Sequence, residues 1–207
     1  MQAQPLGTAG YGRNAEALAR RYASLTFEVV HAGFLPWLPT RPGSVLDIGA
    51  GSGRDAAALA GRGHRVVAVE PTEELRRIGR DAHAGVGIEW VDDALPDLAG
   101  VCGRYDLVLL SAVWMHLDAA ERACGMRRVG ELTAPAGRVA MSIRRGPVPE
   151  GRRMFAVPVD ETIALASRSG LALVRRGEES DRLGRGDVYW DTLVFRAGPD
   201  TAPDEHR

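Results

Sequence analysis

VLDIGAGSGRDAAALA, residues 45–60, is the stretch that decides the fold. It reads as a buried strand that ends in a glycine-rich turn, after which a helix begins. Gly49, Gly51 and Gly53 let the backbone turn sharply and approach a ligand, because no Cβ is in the way. A turn of this kind at a helix start presents free N–H groups to polar or anionic ligand atoms. The stretch therefore predicts a binding loop for a nucleotide-like small molecule.

The spacing of the glycines narrows the choice of nucleotide. A dinucleotide fingerprint, G-x-G-x-x-G/A, would place its third small residue at position 54, where this chain has the bulky Arg54. The third glycine stands at 53 instead, which disfavours a nicotinamide-dependent oxidoreductase without removing it as an alternative. A P-loop needs Gly-Lys-Ser/Thr, and the chain contains no lysine.

Four motifs together resemble those of the class I S-adenosylmethionine-dependent methyltransferases, in the small-molecule branch similar to methyltransferase types 11 and 12. They follow the family's order along the chain and comprise VLDIGAGSGRDAAALA (45–60), RVVAVEP (65–71), IEWVDDALP (88–96) and YDLVLLSAVWMHL (105–117). The resemblance implies S-adenosyl-L-methionine as methyl donor and S-adenosyl-L-homocysteine as product. It also implies a seven-stranded sheet whose last strand is inserted antiparallel.

The resemblance further implies which residues hold the donor. Glu70 would hold the ribose hydroxyls, since a carboxylate accepts two hydrogen bonds from a vicinal diol. Asp92 or Asp93 would meet the adenine amino group, and the choice stays open. The whole predicted set is Asp47, Gly49, Ala50, Gly51, Gly53, Arg54, Asp55, Glu70, Pro71, Asp92, Asp93, Ala94, Ser111 and Trp114. Three of these have a purely structural alternative: Asp47 as a brace for the loop, Glu70 as a solvated strand end, and Trp114 as a core side chain.

Alternating strand and helix patterns predict an α/β fold, a Rossmann-like doubly wound sheet that is mostly parallel with an antiparallel edge hairpin. The predicted strands are 44–48, 65–69, 87–91, 105–111, 138–143, 171–176 and 188–196. Before them, apolar residues from Ala15 to Val29 follow one helical face, and this helix is predicted to end by Gly33. We expect an N-terminal helical cap over residues 1–43, a donor-binding domain over 44–197 and a flexible tail over 198–207.

Acceptor chemistry is less constrained by the sequence. Because lysine is absent, a general base would have to be another residue type, and His116 and His31 are the catalytic candidates. A Gly/Pro-rich loop after the fifth predicted strand carries four arginines, and arginine binds carboxylate or phosphate bidentately. The predicted acceptor-binding residues are Arg144, Arg145, Arg152, Arg153 and Tyr22. Tyr22 is alternatively a core residue of the helical stripe, and the arginines are alternatively a solvated loop.

Composition excludes several other classes. The formal net charge of −1 implies no bulk attraction to nucleic acid or to an anionic membrane, so RNA methylation is disfavoured. No apolar run suggests a signal peptide or a membrane span. There is no Cys/His cluster with metal-ligand spacing and no G-x-S-x-G elbow. We expect a cytoplasmic protein, monomer or homodimer, with free thiols at Cys102 and Cys124, acting on a small molecule. A non-catalytic S-adenosylmethionine-binding protein remains an alternative.

Overall fold

The computed structural model describes residues 10–199, and they are organised by one seven-stranded sheet with the order β3-β2-β1-β4-β5-β7-β6. Strands β1 to β5 pair in parallel, whereas β7 lies antiparallel between β5 and β6. The strands are β1 Ser44–Ile48, β2 Arg65–Val69, β3 Ile88–Val91, β4 Tyr105–Ser111, β5 Thr133–Arg145, β6 Leu171–Ser180 and β7 Tyr189–Ala197. The predicted Rossmann-like sheet with an antiparallel edge hairpin is confirmed.

Six α-helices connect or flank these strands within the described residues: α1 Ala15–Ala23, α2 Phe27–Val30, α3 Arg54–Ala60, α4 Glu73–Ala82, α5 Ala119–Leu132 and α6 Val159–Arg168. Helix α5 begins with a capping box, as its sequence predicts. The Asp118 carboxylate accepts from the Glu121 backbone N–H at 2.9 Å, and the Glu121 carboxylate accepts from the Asp118 N–H at 2.8 Å. No helix within residues 10–199 is long and apolar enough to cross a membrane.

The N-terminal segment forms two short helices where the apolar pattern predicted one. Ser24 and Thr26 end the first helix and start the second, because their hydroxyls bond to nearby backbone groups. The Ser24 hydroxyl donates to the Arg21 carbonyl at 2.7 Å, and the Thr26 hydroxyl accepts from the Val29 N–H at 3.3 Å. The change of direction leaves Val29 43% exposed, although it continues the helical stripe in sequence.

Apolar side chains fill both faces of the sheet. Leu46, Ile48 and Leu110 pack on one side with α5 and α6, and Val45 and Leu109 pack on the other. Phe27, Phe34 and Leu38 of the N-terminal segment join the second layer, so this segment is part of the core packing. The division into a cap over 1–43, a domain over 44–197 and a tail over 198–207 stays a prediction. Residues 1–9 and 200–207 lie outside the described range.

Candidate functional site

The carboxyl ends of the first four strands open into a crevice of about 1250 Å³. In open α/β sheets this edge is where ligands bind. Most of the residues predicted to hold a ligand line it, namely Tyr22, Gly49, Ala50, Gly51, Arg54, Asp55, Glu70, Pro71, Asp92, Asp93, Ala94, Ser111, His116, Arg144, Arg152 and Arg153. Five predicted residues do not line it: His31, Asp47, Gly53, Trp114 and Arg145.

The three loop glycines have positive φ values and different surroundings. A Cβ on Gly49 would lie 2.5 Å from the Val113 side chain, and one on Gly53 would lie 2.8 Å from the Trp90 ring. Among residues 10–199, only the Tyr22 ring, at 3.9 Å, would lie within 4 Å of a Cβ on Gly51. Gly49 and Gly53 therefore permit packing within the protein, while Gly51 leaves bare backbone facing the crevice.

Glu70 lies at the end of β2 and is buried against the glycine loop. One carboxylate oxygen accepts from the Gly51 N–H at 2.9 Å, and the other accepts from the Thr72 N–H at 2.8 Å. Burial raises the pKa of Glu70, although these hydrogen bonds oppose the shift. Each oxygen keeps a second lone pair, so the carboxylate can still accept hydrogen bonds from a ligand.

Asp92 and Asp93, at the end of β3, have different partners. Asp92 forms a bidentate ion pair with Arg76 at 2.7 and 2.8 Å, and the Arg76 guanidinium also donates to the Glu70 carbonyl. Asp93 accepts from the Ala94 and Gly100 N–H groups, both at 2.7 Å, and so holds the following turn together. Sequence reasoning missed Arg76, because a single arginine on a charged helix gives no signal.

A buried charged cluster lies behind the loop. His31 Nε2 is 2.8 Å from the Asp55 carboxylate, and Arg54 donates to the same carboxylate at 2.6 and 3.0 Å. Burial acts to raise the pKa of Asp55, but His31 and Arg54 outweigh it and hold that pKa below its usual value. Asp47 is 1% exposed, and burial, with the nearby Asp55 charge, raises its pKa well above the ordinary value. Asp47 is therefore buried at the end of β1 and does not line the crevice, and its role toward a ligand stays a prediction.

Two of the residues outside the crevice are buried in the core packing. His31 is fully buried, with Phe27 and Phe34 ring centroids both 4.7 Å from its own. It does not line the crevice, and its catalytic role stays a prediction. Trp114 is also fully buried and donates to the Thr162 hydroxyl at 3.1 Å, which is the core position given as its alternative.

The four arginines predicted on one loop differ in position and in partners. Arg144 and Arg145 end β5, and only Arg152 and Arg153 lie in the loop after it. Arg145 is exposed, pairs with Glu178 and Asp191, and lies outside the crevice, so its role as an acceptor ligand stays a prediction. Arg153 donates to Asp118 and Glu121 at the start of α5. Arg144 donates to the Pro147 carbonyl at 2.8 Å, and burial and the nearby Arg185 lower its pKa. Arg152 stacks over the Tyr11 ring at 3.5 Å from its centroid.

His116 lies at the mouth of the crevice between two partners. Its Nδ1 is 2.8 Å from the Arg153 carbonyl oxygen, and its Nε2 is 3.0 Å from the Tyr11 hydroxyl. Burial lowers the pKa of His116, and the charges of Arg152 and Arg153 lower it further. Tyr11 was missed by sequence reasoning, because it precedes the apolar stripe of α1 and belongs to no motif. Among the described residues no group of His, Cys, Asp and Glu has the arrangement of a metal site.

Comparison with known proteins agrees with this geometry. Residues 45–137 match the family described as "Methyltransferase domain". Magnesium protoporphyrin IX methyltransferase from Synechocystis PCC 6803, with bound S-adenosylmethionine, has a similar structure: 17% identity, 96% of this chain and 87% of that chain covered, TM-score 0.65. A TehB-like S-adenosylmethionine-dependent methyltransferase from Corynebacterium glutamicum is also similar, with 18% identity and a TM-score of 0.66. The match covers 88% of this chain and 97% of that chain.

A third similar structure contains two bound small molecules. It is 1,6-didemethyltoxoflavin-N1-methyltransferase from Burkholderia thailandensis with bound 1,6-didemethyltoxoflavin and S-adenosylhomocysteine (22% identity, 96% and 93% covered, TM-score 0.62). The fold and the glycine loop agree with the match of residues 45–137 to a methyltransferase domain, and the three solved structures share the fold.

Proposed function

We propose that the protein methylates a small anionic molecule bound in the crevice beside the donor. S-adenosylmethionine supplies a methyl group on a sulfonium, which leaves readily in an in-line displacement. The chain's own task is then to hold and align two small molecules. Glycine-loop backbone and the Glu70 carboxylate would hold the ribose end, and Asp92 or Asp93 would meet the adenine amino group.

Groups in the crevice support the proposed binding of the methyl donor. Gly51 presents backbone without a side chain, and Glu70 keeps one free lone pair on each oxygen after accepting two backbone N–H groups. A ribose diol can donate to both oxygens at once. The Asp92 carboxylate is already neutralised by Arg76, so an uncharged adenine amino group is a suitable partner for it.

The anionic acceptor is supported chiefly by Arg152. Its guanidinium lines the crevice, and within residues 10–199 its buried Nη1 has no hydrogen-bond partner. A buried donor without a partner costs about 1–3 kcal/mol, which a carboxylate or phosphate oxygen would relieve. Arg144 also faces the crevice without a carboxylate partner in the described chain, so two guanidinium charges are available to one ligand.

Incubation with isotopically labelled S-adenosylmethionine and a metabolite extract, followed by mass spectrometry, tests the function. We expect label in one small molecule that carries a carboxylate or phosphate. Tight donor binding without any labelled product would instead favour a non-catalytic binding protein. Binding of NAD(H) in place of the sulfonium nucleoside would favour an oxidoreductase. A cytoplasmic location and a monomeric or homodimeric state stay predictions.

Arginine variants then test the charge of the acceptor. Arg152→Gln and Arg144→Gln are each expected to raise the acceptor KM by about 10-fold or more, since each removes one charge-assisted contact. The Kd for S-adenosylhomocysteine should stay within about twofold. Arg145→Gln is the matched comparison, because this neighbouring arginine points away from the crevice. Equal KM values for all three variants and the parent would rule out the proposal that the acceptor is anionic.

A further inference from the structure

The hydrogen bonds of His116 fix where its proton lies. The Arg153 carbonyl oxygen, 2.8 Å from Nδ1, only accepts, so Nδ1 must carry the hydrogen. In a neutral imidazole Nε2 then holds the lone pair, and the Tyr11 hydroxyl at 3.0 Å donates to it. The neutral state agrees with the burial of the ring, which is 8% exposed.

Tyr11 therefore stands between His116 and any acceptor. The Nε2 lone pair is occupied by the Tyr11 proton, so an acceptor reaches the basic nitrogen only through the Tyr11 oxygen. Both side chains line the crevice. Among the described residues, the charged and titratable groups that face this pair are Arg144 from the end of β5, Arg152 and Arg153 from the loop, Tyr22 from α1 and Glu70 from the end of β2.

Arg152 connects this pair to the proposed anion site. Its guanidinium lies 3.5 Å above the centre of the Tyr11 ring. Burial and the neighbouring Tyr22 raise the pKa of Tyr11, which keeps the phenol protonated, and the Arg152 cation on the ring face partly opposes this shift. An acceptor whose anionic group binds Arg152 is thereby brought close to the Tyr11 hydroxyl.

We infer that Tyr11 is a catalytic residue that accepts the proton of a protic acceptor while passing its own proton to His116 Nε2. The inference rests on the proposed function. The acceptor's O–H or N–H bond breaks and its electron pair forms the new bond to the methyl carbon. The bond from that carbon to sulfur breaks with its electrons remaining on sulfur. The proton ends on the imidazole, which releases it to water. The substrate class is thus a hydroxyl or amine that loses a proton, and not a thioether or tertiary amine.

Tyr11→Phe isolates the hydroxyl, because phenylalanine keeps the ring on which Arg152 stacks. With labelled donor and metabolite extract, we expect label incorporation to fall about 100-fold or more, the usual scale of acid–base catalysis. His116→Gln should lower it similarly. The Kd for S-adenosylhomocysteine should stay within about twofold in both variants. Tyr189→Phe, a hydroxyl removal on the exposed part of β7 outside the crevice, is the control.

Imidazole ¹⁵N NMR of the protein alone tests the pair without any acceptor. We expect the Nδ1–H tautomer for His116 and a changed Nε2 shift in Tyr11→Phe. An Nε2–H tautomer, parental turnover by Tyr11→Phe, or a sulfonium or quaternary ammonium product would overturn the inference. Absence of any labelled product with the parent protein would count against the proposed function instead. The NMR measurement would still show which nitrogen of His116 carries the hydrogen next to Tyr11.

Discussion

Glu70 and Gly51 are joined by a hydrogen bond from the Gly51 backbone N–H to the Glu70 carboxylate, 2.9 Å long. The other oxygen of the same carboxylate accepts from Thr72, at the start of α4. One side chain thus fixes the glycine loop and the beginning of the next helix relative to β2. Because these contacts exist within the protein itself, the loop is held in shape before any ligand arrives, which lowers the entropic cost of binding.

Glu70→Gln should therefore weaken donor binding more than it weakens the fold. The amide has one acceptor oxygen instead of two, so either the Gly51 or the Thr72 N–H loses its partner, and a ribose hydroxyl loses an acceptor. We expect the Kd for S-adenosylhomocysteine to rise about 10-fold or more in calorimetry. Glu89→Gln, on the exposed side of β3, should leave it unchanged. Equal affinities for both variants would contradict the role of Glu70.

Asp47 should make the fold less stable as the pH rises. Its pKa in the folded chain is raised well above the ordinary 3.8 by burial and by Asp55, so the folded state binds the proton more tightly than the unfolded state. The stabilisation is complete below the ordinary value and is lost as the pH rises through the raised one. Thermal melts from about pH 4 to 8 should show a steeper fall for the parent than for Asp47→Asn. Parallel curves would show that Asp47 does not carry this dependence.

The His31–Asp55 pair should contribute to stability and not to turnover. Removing one partner of a buried pair leaves a charge or polar group without compensation, which typically costs about 3–5 kcal/mol. Arg54 remains beside Asp55 and should reduce the loss in His31→Gln toward the lower end. A double-mutant cycle with Asp55→Asn, followed by urea unfolding, should give a coupling energy of about 1–3 kcal/mol. A near-zero coupling energy with lost turnover in folded His31→Gln would support the predicted catalytic role of His31.

Asp92 and Asp93 are expected to differ in their effects on unfolding free energy and on the affinity for S-adenosylhomocysteine. Asp93 satisfies two backbone N–H groups, so Asp93→Asn should cost about 1–3 kcal/mol of unfolding free energy. The Asp92 side chain is 68% exposed, so Asp92→Asn should cost under about 1 kcal/mol. If Asp92→Asn still raises the Kd for S-adenosylhomocysteine about 5-fold or more, Asp92 meets adenine. If instead only folded Asp93→Asn shows a raised Kd for S-adenosylhomocysteine, Asp93 meets adenine.

The sequence predicted the elements whose signals are local. Strands such as 44–48 and 105–111 are rich in branched apolar residues, and the α5 capping box depends on residues three positions apart, so both were predicted correctly. The N-terminal helix was predicted too long, because the apolar period continues across Ser24–Thr26 while the hydroxyls of that stretch end one helix and cap the next.

The sequence did not reveal which side chains of the site contact each other across long sequence separations. His31 and Asp55 are 24 positions apart, and Tyr11 and His116 are 105 apart, so no spacing rule connects them. The sequence offers no reason to distinguish the arginines between 144 and 153. In the structure, Arg145 pairs with carboxylates of β6 and β7 and Arg153 with one of α5, which distinguishes both from Arg152. The motifs identified the glycine-rich loop, and tertiary contacts decided which arginine side chains face the crevice.

Gly51→Ala should block the donor while leaving the fold largely intact. Its φ of +58° makes any side chain strained by roughly 1 kcal/mol, but the new methyl group would project into the crevice with only Tyr22 nearby, at 3.9 Å. Gly85→Ala is the matched control, since its φ is +84° and no atom lies within 4 Å of its Cβ position. Both variants should melt at similar temperatures, whereas only Gly51→Ala should raise the Kd for S-adenosylhomocysteine, by about 10-fold or more. Unchanged affinity in Gly51→Ala would mean that the bare backbone at this position does not face the donor.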